Sequence, residues 1–464
     1  VLKQLFEERP GDGALGMVGL QRRSATLVVM LATLMVVLDL GLVNIALPTL
    51  ATALEVSESR AVWVATSYQL VCAASLLSFA ALSHLMGQWR VFSCGLVLYT
   101  LGALGASLAM GLGWLLFWRV VQGLGGAAIL SLGPSLYRKI FPHRLLGHAI
   151  GLNALVVAFG LASGPSLGGV VLSMASWHWI FALNVPVGLV AIWLAWRSLP
   201  YESWRRTGFD WPGALLSMLM MSGFLLAMER LGHGQSHTLI IGLAVLSLLA
   251  FAAFVWRQGR APAPLVPLSL FAEPRFTSAS VVTVLAFIAQ GAAFVALPFL
   301  YQTLMNASPL QAALLFTPWP MALLISGPLA GRLADKYDPA LLSAGGLVLF
   351  VIGMAGLAWL SSAGSAAYLL LPSLLCGLGY GFFQAPNNRE IIGYAPLALS
   401  ASASGVLASL RTFGQCQGSA MVALIMALPF GSVSLALWLA AAVALAALLV
   451  SVLRLSQPAR VVAS

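Results

Sequence analysis

Apolar positions dominate this chain in long runs, and short clusters of Arg, Lys, Gly, Pro or acid interrupt them at intervals. A run of about 20 apolar residues has the length an α-helix needs to cross the hydrocarbon layer of a bilayer. Fourteen runs are predicted, at roughly 24–52, 61–86, 91–111, 114–137, 149–174, 178–198, 211–231, 238–256, 276–303, 309–332, 340–361, 366–388, 401–427 and 431–453. The pattern predicts an all-α polytopic membrane protein with these fourteen transmembrane helices.

The polar positions between the runs set an orientation. With the N-terminus placed in the cytoplasm, nineteen of the 23 Lys and Arg fall on the inner side, Arg275, Arg389 and Arg454 among them. Arg60 and Arg230 fall outside, while Arg119 and Arg411 lie within spans. This is the positive-inside pattern, so both termini are expected in the cytoplasm, with the chain in the cytoplasmic (inner) membrane. The longest inner loop, about Arg257 to Arg275, carries Pro262, Pro264, Pro267 and Pro274 and reads as a stiff connector. No loop has the length of a soluble domain, so the activity belongs to the spans.

Composition agrees, with 60% hydrophobic and 8% charged residues and a mean hydropathy of +0.96. A soluble domain carries about 25% charged residues. The net charge of +10 does not point to nucleic acid, because the basic residues sit in loops between spans. The four cysteines lie in apolar runs without the paired spacing of a metal site or disulfide framework. Residues 1–23 lack the apolar core of a signal peptide, and no cleavage is expected.

Within the fifth run, Gly160, Gly164 and Gly168 recur every four residues, followed by Gly169. On a helix they form one stripe without side chains, which lets a neighbouring helix approach backbone to backbone. Pro165 removes one intrahelical hydrogen bond and is expected to bend the helix. Such a helix suits a surface along which helices move. Two inner loops look like diverged copies: Ala80 to Arg90 after the second run, and Gly331-Arg332-Leu-Ala-Asp335-Lys336 after the tenth. A repeat at this offset predicts two six-helix bundles around a central cavity, at roughly 24–198 and 276–454, with an inserted pair at roughly 211–256. Segments of roughly 199–210 and 257–275 would link them, and roughly 1–23 and 455–464 would be cytoplasmic ends.

These residues resemble the major facilitator superfamily, and specifically its fourteen-helix branch of drug:proton antiporters. Gly160 to Gly169 matches the fifth-helix antiporter motif at every fixed position. Leu38-Asp39-Leu-Gly41 through Pro48 resembles the first-helix signature, with Gly41 where Thr is usual, and Arg119-Val-Val-Gln122-Gly123 resembles the fourth-helix motif. Trp177 to Gly188, Pro386-Asn387-Asn388 and Arg411 to Gln415 resemble further family features. The inner loop after the second helix departs from the family, with His84 and Leu85 where an acid and a base are usual, while its copy keeps Asp335 and Lys336. The resemblance implies a proton-coupled exporter of hydrophobic or amphipathic organic compounds, working by alternating access. Gly160, Gly164, Pro165, Gly168, Gly169, Arg332, Asp335 and Lys336 are its conformational motifs, and Asp39 and Arg119 its proton-coupling pair.

The residues support that reading on their own terms. Asp39 lies sixteen residues from both Arg23 and Glu55, near the middle of the first run. A carboxylate there costs about 2.5–3.5 kcal/mol on insertion scales, which marks it as functional by default. Burial favours the neutral acid and a neighbouring cation the carboxylate, so such a group changes protonation as its surroundings change. Arg119, about six residues inside the outer end of its run, is the candidate cation for Asp39; its alternative role is to brace helices through backbone carbonyls. Glu229 and Glu390, at span ends, read as water-accessible interfacial charges. One proton entering across 100 mV gains about 2.3 kcal/mol and one pH unit adds about 1.4. Together these sustain a solute gradient of several hundred-fold, at about 1.4 kcal/mol per factor of ten.

Substrate contacts are expected from polar and aromatic residues on apolar spans: Tyr68, Gln69, Asn153, Gln290, Phe294, Tyr301, Tyr380, Phe383, Gln384, Asn387, Asn388, Arg411 and Gln415. As a set they predict a roomy, weakly polar pocket. Each alone is also an ordinary helix–helix contact, and Arg411 serves equally to bind an anion or to stabilise its bundle. No metal or cofactor is expected. Expected partners are small organic substrates, protons and the lipid bilayer, not nucleic acid. The chain is expected to act as a monomer, with periplasmic adaptor proteins left open. Two alternatives remain: a dedicated exporter or facilitator of one metabolite on the same fold, and, much less favoured, a polytopic membrane enzyme. The six histidines fall in loops on both sides without acid partners, no phosphate loop ending in Lys-Ser or Lys-Thr exists, and rings of like charge are absent.

Overall fold

A computed structural model of the chain describes residues 17–142, 145–199, 209–232, 237–262, 264–334, 336–361, 366–396 and 399–457. Every regular element among them is helical. The first five helices are α1 (Gly19–Ala53), α2 (Glu58–Met86), α3 (Gln88–Ser107), α4 (Leu112–Ile140) and α5 (Leu146–Met174). The sixth run is split at Leu183 into α6 (His178–Ala182) and α7 (Asn184–Ser198), and α8 (Trp211–Gly232) and α9 (His237–Gln258) follow. The remainder are α10 (Pro274–Phe299), α11 (Pro309–Phe316), α12 (Pro318–Leu333), α13 (Pro339–Leu360), α14 (Leu370–Gly393), α15 (Ser400–Ala427) and α16 (Val433–Leu455).

Local chemistry sets these boundaries. Ser57 accepts a hydrogen bond from the Arg60 amide at the start of α2, and Ser432 does the same for Leu435 in α16. Ser308 and Gln311 form a reciprocal capping box on α11, with Pro309 in the first turn. Pro318, which lacks an amide hydrogen, separates α11 from α12 within the tenth run. Gly87 joins α2 to α3 at φ 93°, a conformation a side chain would strain. Pro165 lies inside α5, which runs through it without a break.

Among the described residues, thirteen helical stretches are long and apolar enough to cross a membrane. The 28-residue α15 is not among them, because Ser400, Ser402, Ser404, Arg411, Gln415 and Gln417 dilute its apolar character. Among the first six runs, α1 packs on α5, α7 and α2, while α4 packs on α2 and α3. Among the last six, α10 packs on α15 and α16, and α14 on α12 and α13. Three seams join the sets: α2 with α15, α5 with α11 and α12, and α1 with α10. Helix α8 lies against α2 and α15, and α9 packs on α8 at the periphery, with 17% of its apolar window buried.

Candidate functional site

Asp39 on α1, Arg119 and Gln122 on α4 close a ring of polar contacts deep in the first set of helices. Arg119 Nη1 lies 2.7 Å from Asp39 Oδ2 and donates at 2.8 Å to Gln122 Oε1. Gln122 Nε2 donates to Asp39 Oδ1 at 3.1 Å. Arg119 Nε also donates to the Val64 carbonyl on α2 at 2.9 Å, and its guanidinium stacks 4.3 Å from the Tyr68 ring centre. Asp39 is 0% and Arg119 1% exposed. Small residues make this depth reachable: a Cβ on Gly126 would lie 2.5 Å from Tyr68 Oη, and one on Gly123 2.8 Å from the Tyr68 carbonyl. The two roles weighed for Arg119, ion pair and carbonyl brace, coexist. Gln122, quoted within a motif but not as a site residue, completes the ring; its position one helical turn beyond Arg119 is the signal for it.

Arg119 has neutral partners besides the acid, in Val64, Gln122 and the Tyr68 ring. Removing one charge of a buried pair ordinarily costs about 3–5 kcal/mol, and these partners offset part of that cost. Two of the groups around Arg119 are one residue from the central cavity: Leu40 follows Asp39 and Gln69 follows Tyr68, and both Leu40 and Gln69 line it.

That cavity is narrow, about 20 Å³, which corrects the expectation of a roomy pocket. Close backbone approach closes it: a Cβ on Gly41 would sit 2.7 Å from Pro165 Cδ, and one on Gly291 2.6 Å from the Gln415 carbonyl oxygen. Of the expected contacts, Gln69, Phe294 and Gln415 line it, with Gly41, Asn44 and Phe316. Gln415 bonds Gln290 at 3.4 Å behind the wall, and Ser419 donates to Gln69 at 2.9 Å across the α2–α15 seam. Phe294 begins an edge-to-face chain through Trp319, Phe350, Tyr380 and Phe383, which places Tyr380 and Phe383 in the core of the last six runs. Tyr68 and Tyr380 have buried hydroxyls with no hydrogen-bond partner among the described residues. Arg411 lies 5.7 Å over the Phe287 ring. Tyr301 is buried where α10 continues into a short π-helical turn, and Asn153, Gln384 and Asn388 are half-buried away from the cavity lining.

The glycine stripe divides its work. Cβ atoms on Gly160, Gly164 and Gly168 would meet Val37 at 3.0 Å, Gly41 at 3.1 Å and Ile45 at 2.5 Å, all on α1 of the same set. Gly169 instead faces α11 of the other set, where a Cβ on it would lie 2.5 Å from Ala313 Cβ, and Ser166 bonds Thr317 at 3.0 Å. Arg332 and Lys336 are exposed at the end of α12. Asp335, and the side chains of His84 and Glu229, lie outside the described residues.

A second buried ionic cluster was not foreseen. Glu390, expected to meet water, is 5% exposed, with Arg454 Nη1 at 3.2 Å and Arg275 Nη1 at 3.8 Å. Arg275 and Arg454, assigned above to inner loops, are therefore buried. Arg454 also donates to Asn387 Oδ1 at 2.6 Å, and Asn387 Nδ2 to Thr283 at 2.8 Å. Arg275 reaches the Gln457 carbonyl at 2.8 Å. Asn387 thus belongs to this cluster, which ties α10, α14 and α16, rather than to the cavity. The available signal was Asn387 and Glu390 three apart on one helical face.

Membrane-length helices in two packed sets around a polar centre define a carrier. The chain belongs to the Major Facilitator Superfamily, whose sequence pattern matches residues 29–419. It is a multi-pass integral membrane transporter, not an enzyme. It is 39% identical to the "Uncharacterized transporter YebQ" of Escherichia coli (strain K12), covering 94% of this chain and 96% of that protein. It is 31% identical to the "Riboflavin transporter RibZ" of Clostridioides difficile (strain 630), over 86% and 87%. It is 28% identical to the "Multidrug resistance protein Stp" of Mycobacterium tuberculosis, over 89% and 75%. Among solved structures, an auto-inhibited peptide transporter of the POT family superposes with a TM-score of 0.69 at 16% identity, over 95% and 98% of the two chains.

Proposed function

We propose that this chain is a proton-coupled antiporter that exports hydrophobic or amphipathic organic compounds by alternating access. The observation that carries the reading is the buried Asp39–Arg119–Gln122 ring, in which Asp39 on α1, and Tyr68 of α2 stacked on Arg119, are each one residue from the cavity wall. Protonation of Asp39 weakens its hold on Arg119, and Tyr68 passes that change to Gln69. Cargo contacts at Leu40, Gln69, Phe294 and Gln415 then differ between protonation states, which is what coupling requires. Gly169 and Ser166 supply the moving seam, with Arg332, Asp335 and Lys336 acting at the loop between α12 and α13. In this reading α15 is a span as well, the thirteenth of fourteen, α8 and α9 are a pair inserted between two six-helix bundles, and both termini face the cytoplasm from the inner membrane. Likeness to Stp supports organic cargo.

Likeness to RibZ favours a second reading, a dedicated carrier of one compound such as a flavin. Proteoliposomes with an acidic interior test both. The first reading expects lipophilic cations such as ethidium to accumulate while the interior becomes less acidic, and Asp39→Asn to do neither. Accumulation with no change in internal acidity would remove the coupling claim. Riboflavin alone moving, from a panel that includes dyes and biocides, would select the second reading.

A further inference from the structure

A second cavity, of about 700 Å³, lies beside the α2–α15 seam beneath α8 and α9. Its walls come from both sets of helices: Ala74 on α2 and Leu410 on α15 face it together. On α9, Ala244, Leu248, Phe251 and Val255 follow one another at helical spacing and line it as a single stripe. Leu248 and Phe251 remain 67% and 51% exposed, so no protein group fills the space they face.

The wall offers almost no polar handle. Its three hydroxyls are those of Ser217, Ser247 and Ser409. Ser217 donates to the Ala214 carbonyl at 2.8 Å, Ser247 to Met220 at 2.6 Å and Ser409 to Gly405 at 3.0 Å. Every hydroxyl hydrogen is spent on the backbone. A buried water needs two to four polar partners, and a solute recognised by its polar groups needs a free donor or acceptor side chain. A hydrocarbon chain needs neither.

At the connector end the chemistry changes. A Cβ on Gly259, just past the end of α9, would lie 3.8 Å from Cδ1 of the lining residue Leu268. The next residue, Arg260, stacks its guanidinium 4.6 Å over the exposed Trp256 ring. Tryptophan and arginine at the lip of an all-carbon slot reproduce the polarity gradient of a phospholipid, with an interfacial aromatic, a cation for phosphate and hydrocarbon beyond. We propose that this cavity is a binding site for one anionic phospholipid, its acyl chain between α9 and the α2–α15 seam and its phosphate at Arg260. Because the two walls belong to different helix sets, the bound chain bridges them and holds the spacing seen here.

The test uses the full chain purified in detergent and mixed with 1-palmitoyl-2-oleoyl phosphatidylglycerol, with retained lipid counted by native mass spectrometry. Ala244→Trp and Leu248→Trp fill the cavity; Leu246→Trp lies on the same helix away from the lining and is the control. Wild type and Leu246→Trp are expected to keep one lipid that both filling variants lose, and to gain thermal stability from the lipid that those variants do not. Arg260→Ala is expected to bind the phosphatidylcholine with the same chains as well as phosphatidylglycerol. Equal retention by wild type and by a filling variant that melts cooperatively overturns the site. Equal binding of the two lipids by wild type overturns the anionic assignment. Neither readout uses transport, so failure here is distinct from failure of the antiport reading.

Discussion

Arg119 and Asp39 meet at 2.7 Å in a place solvent does not reach, and Gln122 bonds both of them, accepting from the guanidinium and donating to the carboxylate. A single side chain thus reads the state of the pair from both sides. When Asp39 carries a proton, the Gln122 amide hydrogen loses its charged acceptor while its oxygen keeps the guanidinium.

Asp39→Asn keeps the shape and the acceptor oxygen but removes the charge. The variant is expected to insert and fold with a lowered melting temperature, because Arg119 loses its counter-charge but retains Val64 and the Tyr68 ring, and to lose proton movement entirely. A pH dye trapped in proteoliposomes, read beside a melting curve, checks both halves of the statement.

Gln122→Leu removes the amide without touching either charge. It leaves Asp39 Oδ1 short of a donor in a dry site, a loss of about 1–3 kcal/mol. The expected result is a lower melting temperature and slower, still proton-dependent, transport. Unchanged kinetics and stability would show that Asp39 and Arg119 act without it.

Asp39 and Arg119 were legible in the sequence because a charge in the middle of an apolar run has few reasons to be there. Glu390 and Arg454 were not, because near the end of a run a charge reads as interfacial. Only the fold reveals that α10, α14 and α16 converge and shut water out around them. Thirteen of the spans have, among the described residues, the length and apolar character read from the sequence, although Pro318 and Leu183 break helices that hydropathy reads as continuous; α15 falls short of that character. The size of the central cavity was not legible, since it depends on how closely Gly41 approaches Pro165 and Gly291 approaches Gln415, and a one-dimensional pattern carries no such distance.

The Glu390 cluster makes a prediction about stability rather than transport. Glu390→Gln leaves Arg275 and Arg454 facing each other without a counter-charge, at a cost of about 3–5 kcal/mol. Replacing both Glu390 and Arg454 by Leu removes one charge of each sign and leaves a single buried cation, Arg275, with the Tyr394 hydroxyl and the Gln457 carbonyl. The double variant is expected to be more stable than Glu390→Gln, and unfolding of Glu390→Leu, Arg454→Leu and the double variant in detergent measures the coupling between the two sites.

Two glycines on α5 separate packing from motion. A Cβ on Gly164 sits 3.1 Å from Gly41 Cα and from the Leu38 carbonyl oxygen, so Gly164→Val overpacks the α1–α5 contact at about 1–3 kcal/mol and lowers the melting temperature. Gly169→Val pushes on α11 of the other set instead, its Cβ 2.5 Å from Ala313 Cβ and 2.8 Å from the Pro309 carbonyl oxygen. Its expected signature is a loss of stability at least as large, with transport impaired in the molecules that remain folded, whereas folded Gly164→Val molecules still transport.

The seam between the helix sets is bonded at the end where α1 gives way to α2. Ser59 donates to the Ala423 carbonyl at 2.8 Å, and Gln302 Nε2 to the Ile45 carbonyl at 2.7 Å. Alternating access requires these bonds to break once per cycle, since they join elements that must part. Cysteines at Ser59 and Ala423, in a background lacking Cys72, Cys94, Cys376 and Cys416, are expected to cross-link through a short bismaleimide and stop transport. Single cysteines treated alike are expected to keep working. Full transport by the cross-linked protein would mean that this end stays closed throughout, and cargo would then need an exit elsewhere along the seam.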